Sequence, residues 1–189
     1  MMTPSHVLIG CGLFARPGQR ARNWAAVLGG LLPDIPMVFL FAYDRFVLGL
    51  SEQTIWGERY WTDAWQIPAA ISHSIPIYAV VLAVALVNRS DALKVYALST
   101  LMHIACDLPL HNDDAHMHFW PLSRWKFISP VSYWDPRHYG HIASLVELSI
   151  DLVMIAVLWR RFEDRHVRAA LGVARIWARC GLRFSIPVG

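Results

Sequence analysis

The sequence predicts an all-α, multi-pass membrane bundle: four long apolar helices, a short N-terminal helix and an amphipathic C-terminal tail. Three observations predict it. Of 189 residues, 56% are hydrophobic and only 16% charged, where soluble domains carry about 25% charge; mean hydropathy is +0.36. Four apolar segments, Trp24–Ala42, Ile67–Val87, Ala92–Leu110 and Ile142–Trp159, each have about the length that spans a bilayer core as a helix. Basic residues gather in the connections that would share one side of the membrane. A soluble four-helix bundle is the rival, disfavoured because Ile75–Val87 has no polar face.

The basic residues orient the bundle. Arg16, Arg20 and Arg22 precede the first long segment, Arg89 and Lys94 lie between the second and third, and seven arginines from Arg160 to Arg183 follow the fourth. By the positive-inside rule these connections, and the C-terminus, are cytoplasmic. The longer connections Tyr43–Gln66 and His111–His141 face outward. Trp24 and Trp159 then fall at the inner interface and Trp65 at the outer one. No secretory leader is expected, because Val7–Ala15 is short and has no basic residue before it. Residues 1–159 form the helical domain and 160–189 a basic tail. In that tail Arg161, Arg165, Arg168, Arg175 and Arg179 make one helical stripe, with Val167, Ala170, Val173, Ala174 and Trp177 opposite. Such a helix lies in the membrane interface, so membrane lipids are expected partners and nucleic acid is not.

Ionisable residues inside apolar helices are costly, and by default they are functional or paired. Measured from the nearest basic turn at about 1.5 Å per residue, His6, Asp34, His73, His103, Asp107 and Glu147 fall at roughly 15–27 Å. They converge at one height if Ser5–Ala15 is a helix paired with Trp24–Ala42. His103 and Asp107, at i and i+4, share a helix face; His111 extends that row if the helix runs past Pro109. The stretch His111–His118 (HNDDAHMH) adds His111, Asp113, Asp114, His116 and His118. It reads as a second metal or a phosphate site, or as an exposed polar turn. Three scattered cysteines, Cys11, Cys106 and Cys180, without a CxxC, argue against a disulfide scaffold or a thiolate zinc site. Histidine with carboxylate suits a divalent ion, zinc first, with manganese or iron as alternatives.

Short blocks in order carry a resemblance: Ser5-His6, Leu31-Leu32-Pro33-Asp34-Ile35, Ser72-His73-Ser74, His103-Ile104-Ala105-Cys106-Asp107, and Trp120-Pro121-Leu122-Ser123-Arg124-Trp125-Lys126-Phe127. They span about two-thirds of the chain and resemble the YdjM-like group of inner-membrane-associated metal-dependent hydrolases. The ligand order is also similar, more distantly, to zinc-dependent phospholipase C and the S1/P1-type nucleases. The chain departs from the first pattern at Pro36, where the second Asp of PDxD would stand, and at Pro68-Ala69-Ala70, where HRG would precede THS. The resemblance implies a bacterial inner-membrane hydrolase.

The expected metal set is His6, Asp34, His73, His103, Asp107, His111 and His116. Asp107, as a bridging carboxylate, and Glu147 are the catalytic candidates. Arg124, Lys126 and Arg137 in the outer loop are candidates to bind a phosphoester or lipid-like substrate. The rival function is a non-enzymatic membrane protein that transports or senses a divalent metal.

Overall fold

The computed structural model describes residues 1–179, with side chains through residue 163. Among the described residues the fold is all helical. Its elements are α1 (Thr3–Phe14), α2 (Arg20–Leu31), α3 (Ile35–Ala42, continued by a π turn at Tyr43–Val47), α4 (Glu52–Gly57), α5 (Asp63–Ser72), α6 (Ile75–Val87), α7 (Asp91–Asp107) and α8 (Gly140–Arg179).

Local chemistry sets the helix starts. Ser74 accepts from the Ile77 amide at the head of α6, and Ser90 from the Leu93 amide at the head of α7; each satisfies a donor that the first turn leaves free. Pro33 lies between α2 and α3 and is fully buried. A proline cannot donate to the helix ladder and its ring clashes with the preceding turn, so the chain bends by 55° there. A second break, at His73–Ser74, separates α5 from α6.

The helix α7 is the hub: α2 and α6 pack on it, and α1 packs on α2, α7 and α8. The α1–α2–α7 contact is built on small residues. Ser99 donates to the Ala26 carbonyl at 2.8 Å, and a Cβ on Gly30 would lie 2.8 Å from the His6 carbonyl oxygen and the Val7 Cα. Only glycine lets α1 and α2 come this close. A smaller core of Ile55, Tyr60 and Trp65 gathers α4 and α5 beside α3. It is pinned by buried Asp44, which accepts from Arg59 Nε and Nη2 at 3.0 Å and from Trp65 Nε1 at 2.9 Å.

The four-span expectation is met in part. Two helical runs, Asp63–Val87 and Gly140–Glu163, are long and apolar enough to cross a membrane, and the bent pair α2–α3 makes a third if counted as one. Trp24–Ala42 is two helices because Pro33 interrupts it. Ala92–Leu110 is the 17-residue α7, whose Val95, Ala97, Thr100 and Ile104 are buried against other helices. The expected loop Tyr43–Gln66 carries α4 and the start of α5. Trp65 is a core residue at 1% exposure, not an interface anchor. Large apolar side chains do face outward on α3 (Val38, Phe39), α6 (Val80, Val87) and α8 (Leu145, Leu152, Val153, Trp159). The helix α8 runs without interruption through residue 160 to Arg179. The stripe expected on the tail lies, beyond Arg161, outside the side chains described.

Candidate metal centre

Both helix breaks and the end of α7 deliver polar side chains to one point. Asp34 sits in the bend after Pro33 and His73 ends α5. His103 and Asp107 lie one turn apart on the buried face of α7. His6 comes from α1, carried in by the close approach at Gly30. His6, His73, His103 and Asp107 are at most 2% exposed.

The histidine tautomers follow from their neighbours. His103 Nδ1 is 2.9 Å from the Gly30 carbonyl oxygen and His73 Nδ1 is 2.9 Å from that of Ala69. A carbonyl only accepts, so each Nδ1 carries the proton and each Nε2 presents a lone pair inward. His103 Nε2 lies 3.0 Å from Asp107 Oδ2 and 3.5 Å from Asp34 Oδ1. His73 Nε2 lies 3.7 and 3.6 Å from the same two oxygens. These four residues place ligand atoms within 4.8 Å of one another.

A second group shares Asp107. Its Oδ1 is 2.9 Å from His6 Nε2 and 3.5 Å from His111 Nε2, and Asp107, His111 and His116 also converge within 4.8 Å. The Met1 amino group touches the same oxygen at 2.9 Å. The ring of His6 stacks on His103 at 3.6 Å, and that of His73 on His116 at 4.2 Å.

The fit to a metal rests on orphaned atoms. Nε2 of His6, of His73 and of His103 is buried without a hydrogen-bond partner, although carboxylate oxygens stand 2.9–3.7 Å away. Buried polar atoms are rarely left unpaired. Lone pairs on His73 and His103 and two carboxylates aimed at one spot, with backbone carbonyls orienting these two rings from behind, match metal ligands and their outer partners. The residues fit a divalent ion.

The loop after α7 completes the centre. The helix ends at Asp107, so His111 does not continue its row; the turn through Pro109 carries it back instead. The loop is stitched to the α5–α6 break: the Ile75 amide donates to the His118 carbonyl at 2.8 Å, and Ser74 Oγ to that of Trp120 at 2.5 Å. His111 Nδ1 is held 2.8 Å from Asp114 Oδ2, which also accepts from Trp134 Nε1. Burial opposes a proton on His111, yet the Asp107 and Asp114 carboxylates outweigh it and lift the pKa to about 9. Burial pushes His116 well below the usual histidine range and His118 to about 4, so both are neutral, as ligation requires.

All seven expected ligands are therefore brought together. Glu147 is elsewhere: it is buried, and its Oε1 accepts from the Met2 amide at 2.7 Å, so it fastens the N-terminal segment rather than joining either group. Arg124 pairs with Asp63 at 3.3 Å on the surface, Lys126 donates to Gln66 at 2.7 Å, and Arg137 forks onto Asp135. None of the three lines the opening of the centre. That opening is a cavity of about 340 Å³, floored by Asp34, Asp107, His111 and His116 and walled by Met37, Val38, Phe41, Trp56 and Tyr133. The placement of Thr3, whose Oγ1 donates to Asp34 Oδ2 at 2.5 Å, and of Tyr133, whose ring lies 5.2 Å from that of His111, was missed by sequence reasoning. Nothing in their spacing marks them. Asp114 was visible within HNDDAHMH, and its role is to orient His111.

Fold and site together define an all-helical protein with a buried His/Asp cluster suited to divalent metal. No family model, curated protein or solved structure matches the chain.

Proposed function

We propose that the chain is a membrane-associated, zinc-dependent hydrolase acting on a phosphoester or lipid-like substrate. The observation that carries the reading is the sharing of Asp107 between two ligand groups, one facing each carboxylate oxygen. Divalent ions at the two groups would supply Lewis acidity and an acidified water for phosphoester hydrolysis. In the first group His73, His103 and Asp34 would hold one ion with Asp107; in the second His111 and His116 would hold another. The carbonyls of Ala69 and Gly30 fix the rings of His73 and His103, and Asp114 fixes His111. Apolar walls at Met37, Val38 and Phe41 exclude water above the acids and suit a substrate with a hydrocarbon part. The resemblance to YdjM-like hydrolases would point the same way and imply a bacterial inner membrane, and the basic turns favour a multi-pass chain with a cytoplasmic C-terminus.

The test is elemental analysis of protein purified without a histidine tag, with phosphodiesterase assays on soluble and lipid phosphoesters. About two equivalents of zinc and a chelator-sensitive activity are expected. Protein that carries no metal after zinc dialysis refutes the reading.

One observation favours a second function, metal transport: Asp34 and His73 both sit at breaks between apolar helices, where transporters place their ligands. Metal flux into proteoliposomes without hydrolysis would decide for it.

A further inference from the structure

The end of the bundle opposite the His/Asp centre carries a groove of about 520 Å³, between the α1–α2 turn and α8. Its walls are mainly apolar, Trp24 and Val27 of α2 and Leu158 and Phe162 of α8, with Arg20 and Asn23 the polar lining residues. Two cations meet at the carbonyl of Ala15, one of its lining residues. Arg16 Nη1 donates to the Ala15 carbonyl at 3.0 Å, and Arg161 Nη1 donates to the same oxygen at 2.9 Å.

Two guanidiniums on one carbonyl repel each other, and one dipole does not neutralise them. Their neighbour Arg22 is matched by Asp91 at 2.7 Å, whereas among the described residues neither Arg16 nor Arg161 has a carboxylate within ion-pair distance. Each guanidinium has five N–H donors, and among the described residues only Nη1 of each has a partner. The pair meets on the carbonyl of Ala15, which lines the trough together with Trp24, 56% exposed, and Trp159, 66% exposed, follows the lining residue Leu158 on α8. Tryptophan in that setting belongs at a headgroup level.

We propose that this groove binds one anionic phospholipid, its phosphate on Arg16 and Arg161 and an acyl chain along Trp24, Val27, Leu158 and Phe162. Charge complementarity selects an anion, and a bidentate guanidinium fork suits phosphate oxygens. The apolar trough selects a lipid over free phosphate, which would leave it filled with water. A zwitterionic headgroup gains less, because its ammonium is brought near the same two arginines. The site assumes contact with a bilayer but does not depend on the metal centre.

The test is native mass spectrometry of the detergent-solubilised full chain, titrated separately with phosphatidylglycerol, phosphatidylcholine and inorganic phosphate. One phosphatidylglycerol should be retained in preference to phosphatidylcholine. The double variant Arg16→Gln/Arg161→Gln should weaken that retention on the order of twenty-five-fold, from two arginines each contributing about fivefold. Val27→Trp, which fills the trough and leaves the arginines in place, should weaken it as well. Equal retention of the two lipids, or displacement of the lipid by equimolar phosphate, overturns the proposal. So does unchanged retention in the double variant, or, if that variant does not fold, in Val27→Trp. Metal content on the same samples separates the readings: lost lipid with retained metal rejects only this groove, and bound lipid without metal rejects only the hydrolase.

Discussion

Asp107 Oδ2 lies 3.0 Å from Nε2 of His103, one helical turn before it on α7, while Oδ1 of the same carboxylate faces His6 and His111. The division makes Asp107 the joint of the centre. Each oxygen serves a different set of rings, so the carboxylate cannot rotate to favour one set without abandoning the other.

Asp107→Asn should therefore abolish metal at both groups, whereas His103→Ala should empty only the first. An amide keeps the shape but loses the charge that offsets two divalent ions. Arg137→Ala, which breaks only a surface fork onto Asp135, should retain full metal. Inductively coupled plasma measurements on the three proteins check this; metal in Asp107→Asn at the wild-type level would remove the bridging role.

Gly30→Ala should separate α1 from α2. Its Cβ would stand 2.8 Å from backbone atoms of His6 and Val7, which cannot move aside as a flexible side chain can. Overpacking of this kind costs about 1–3 kcal/mol. Because His6 rides on the displaced segment, metal affinity should fall together with the melting temperature. Gly57→Ala, with open space around its Cβ, is the control, expected to change stability by less than about 1 kcal/mol. Equal behaviour of the two variants would contradict the close-approach account.

Metal binding should tighten with pH up to about 9. In the metal-free protein burial disfavours the charged His111, but Asp107 and Asp114 hold its pKa at about 9. Below that pH the ring must release a proton before Nε2 can ligate, so affinity should rise about tenfold per unit from neutrality and flatten above the pKa. Asp114→Asn should shift the break to lower pH by removing one of the two carboxylates. Competition titrations with a chromophoric chelator across this range provide the check; a flat profile would show that His111 is not a ligand.

The protein should remain with membranes through alkaline carbonate and require detergent for release. The outward faces of α6 and α8 present Val80, Val87, Leu145, Leu152 and Val153 to the surroundings, and exposed apolar patches mark membrane or protein contact. Release by carbonate alone would sink the spanning reading of Asp63–Val87 and Gly140–Glu163.

The sequence by itself determined the helical class and the height at which the ionisable residues meet. Apolar length and basic turns set where a residue lies along a helix, since rise per residue is constant, and that was enough to group His6, Asp34, His73, His103 and Asp107. The i, i+4 spacing was enough to pair the last two. Only the tertiary structure decided which residues turn inward. Glu147 lies at the same height, yet α8 is rotated so that it meets the Met2 amide. His111 and His116 arrive through an irregular loop whose course is set by hydrogen bonds to the α5–α6 break, and no periodicity encodes those. Length and the break at Pro33 limit the helices that meet a spanning length, since α7 has 17 residues and Trp24–Ala42 is divided into two helices. Rise is a local property of the backbone; rotation about a helix axis and the path of a loop are settled by contacts between residues far apart in the chain, such as Gly30 against His6.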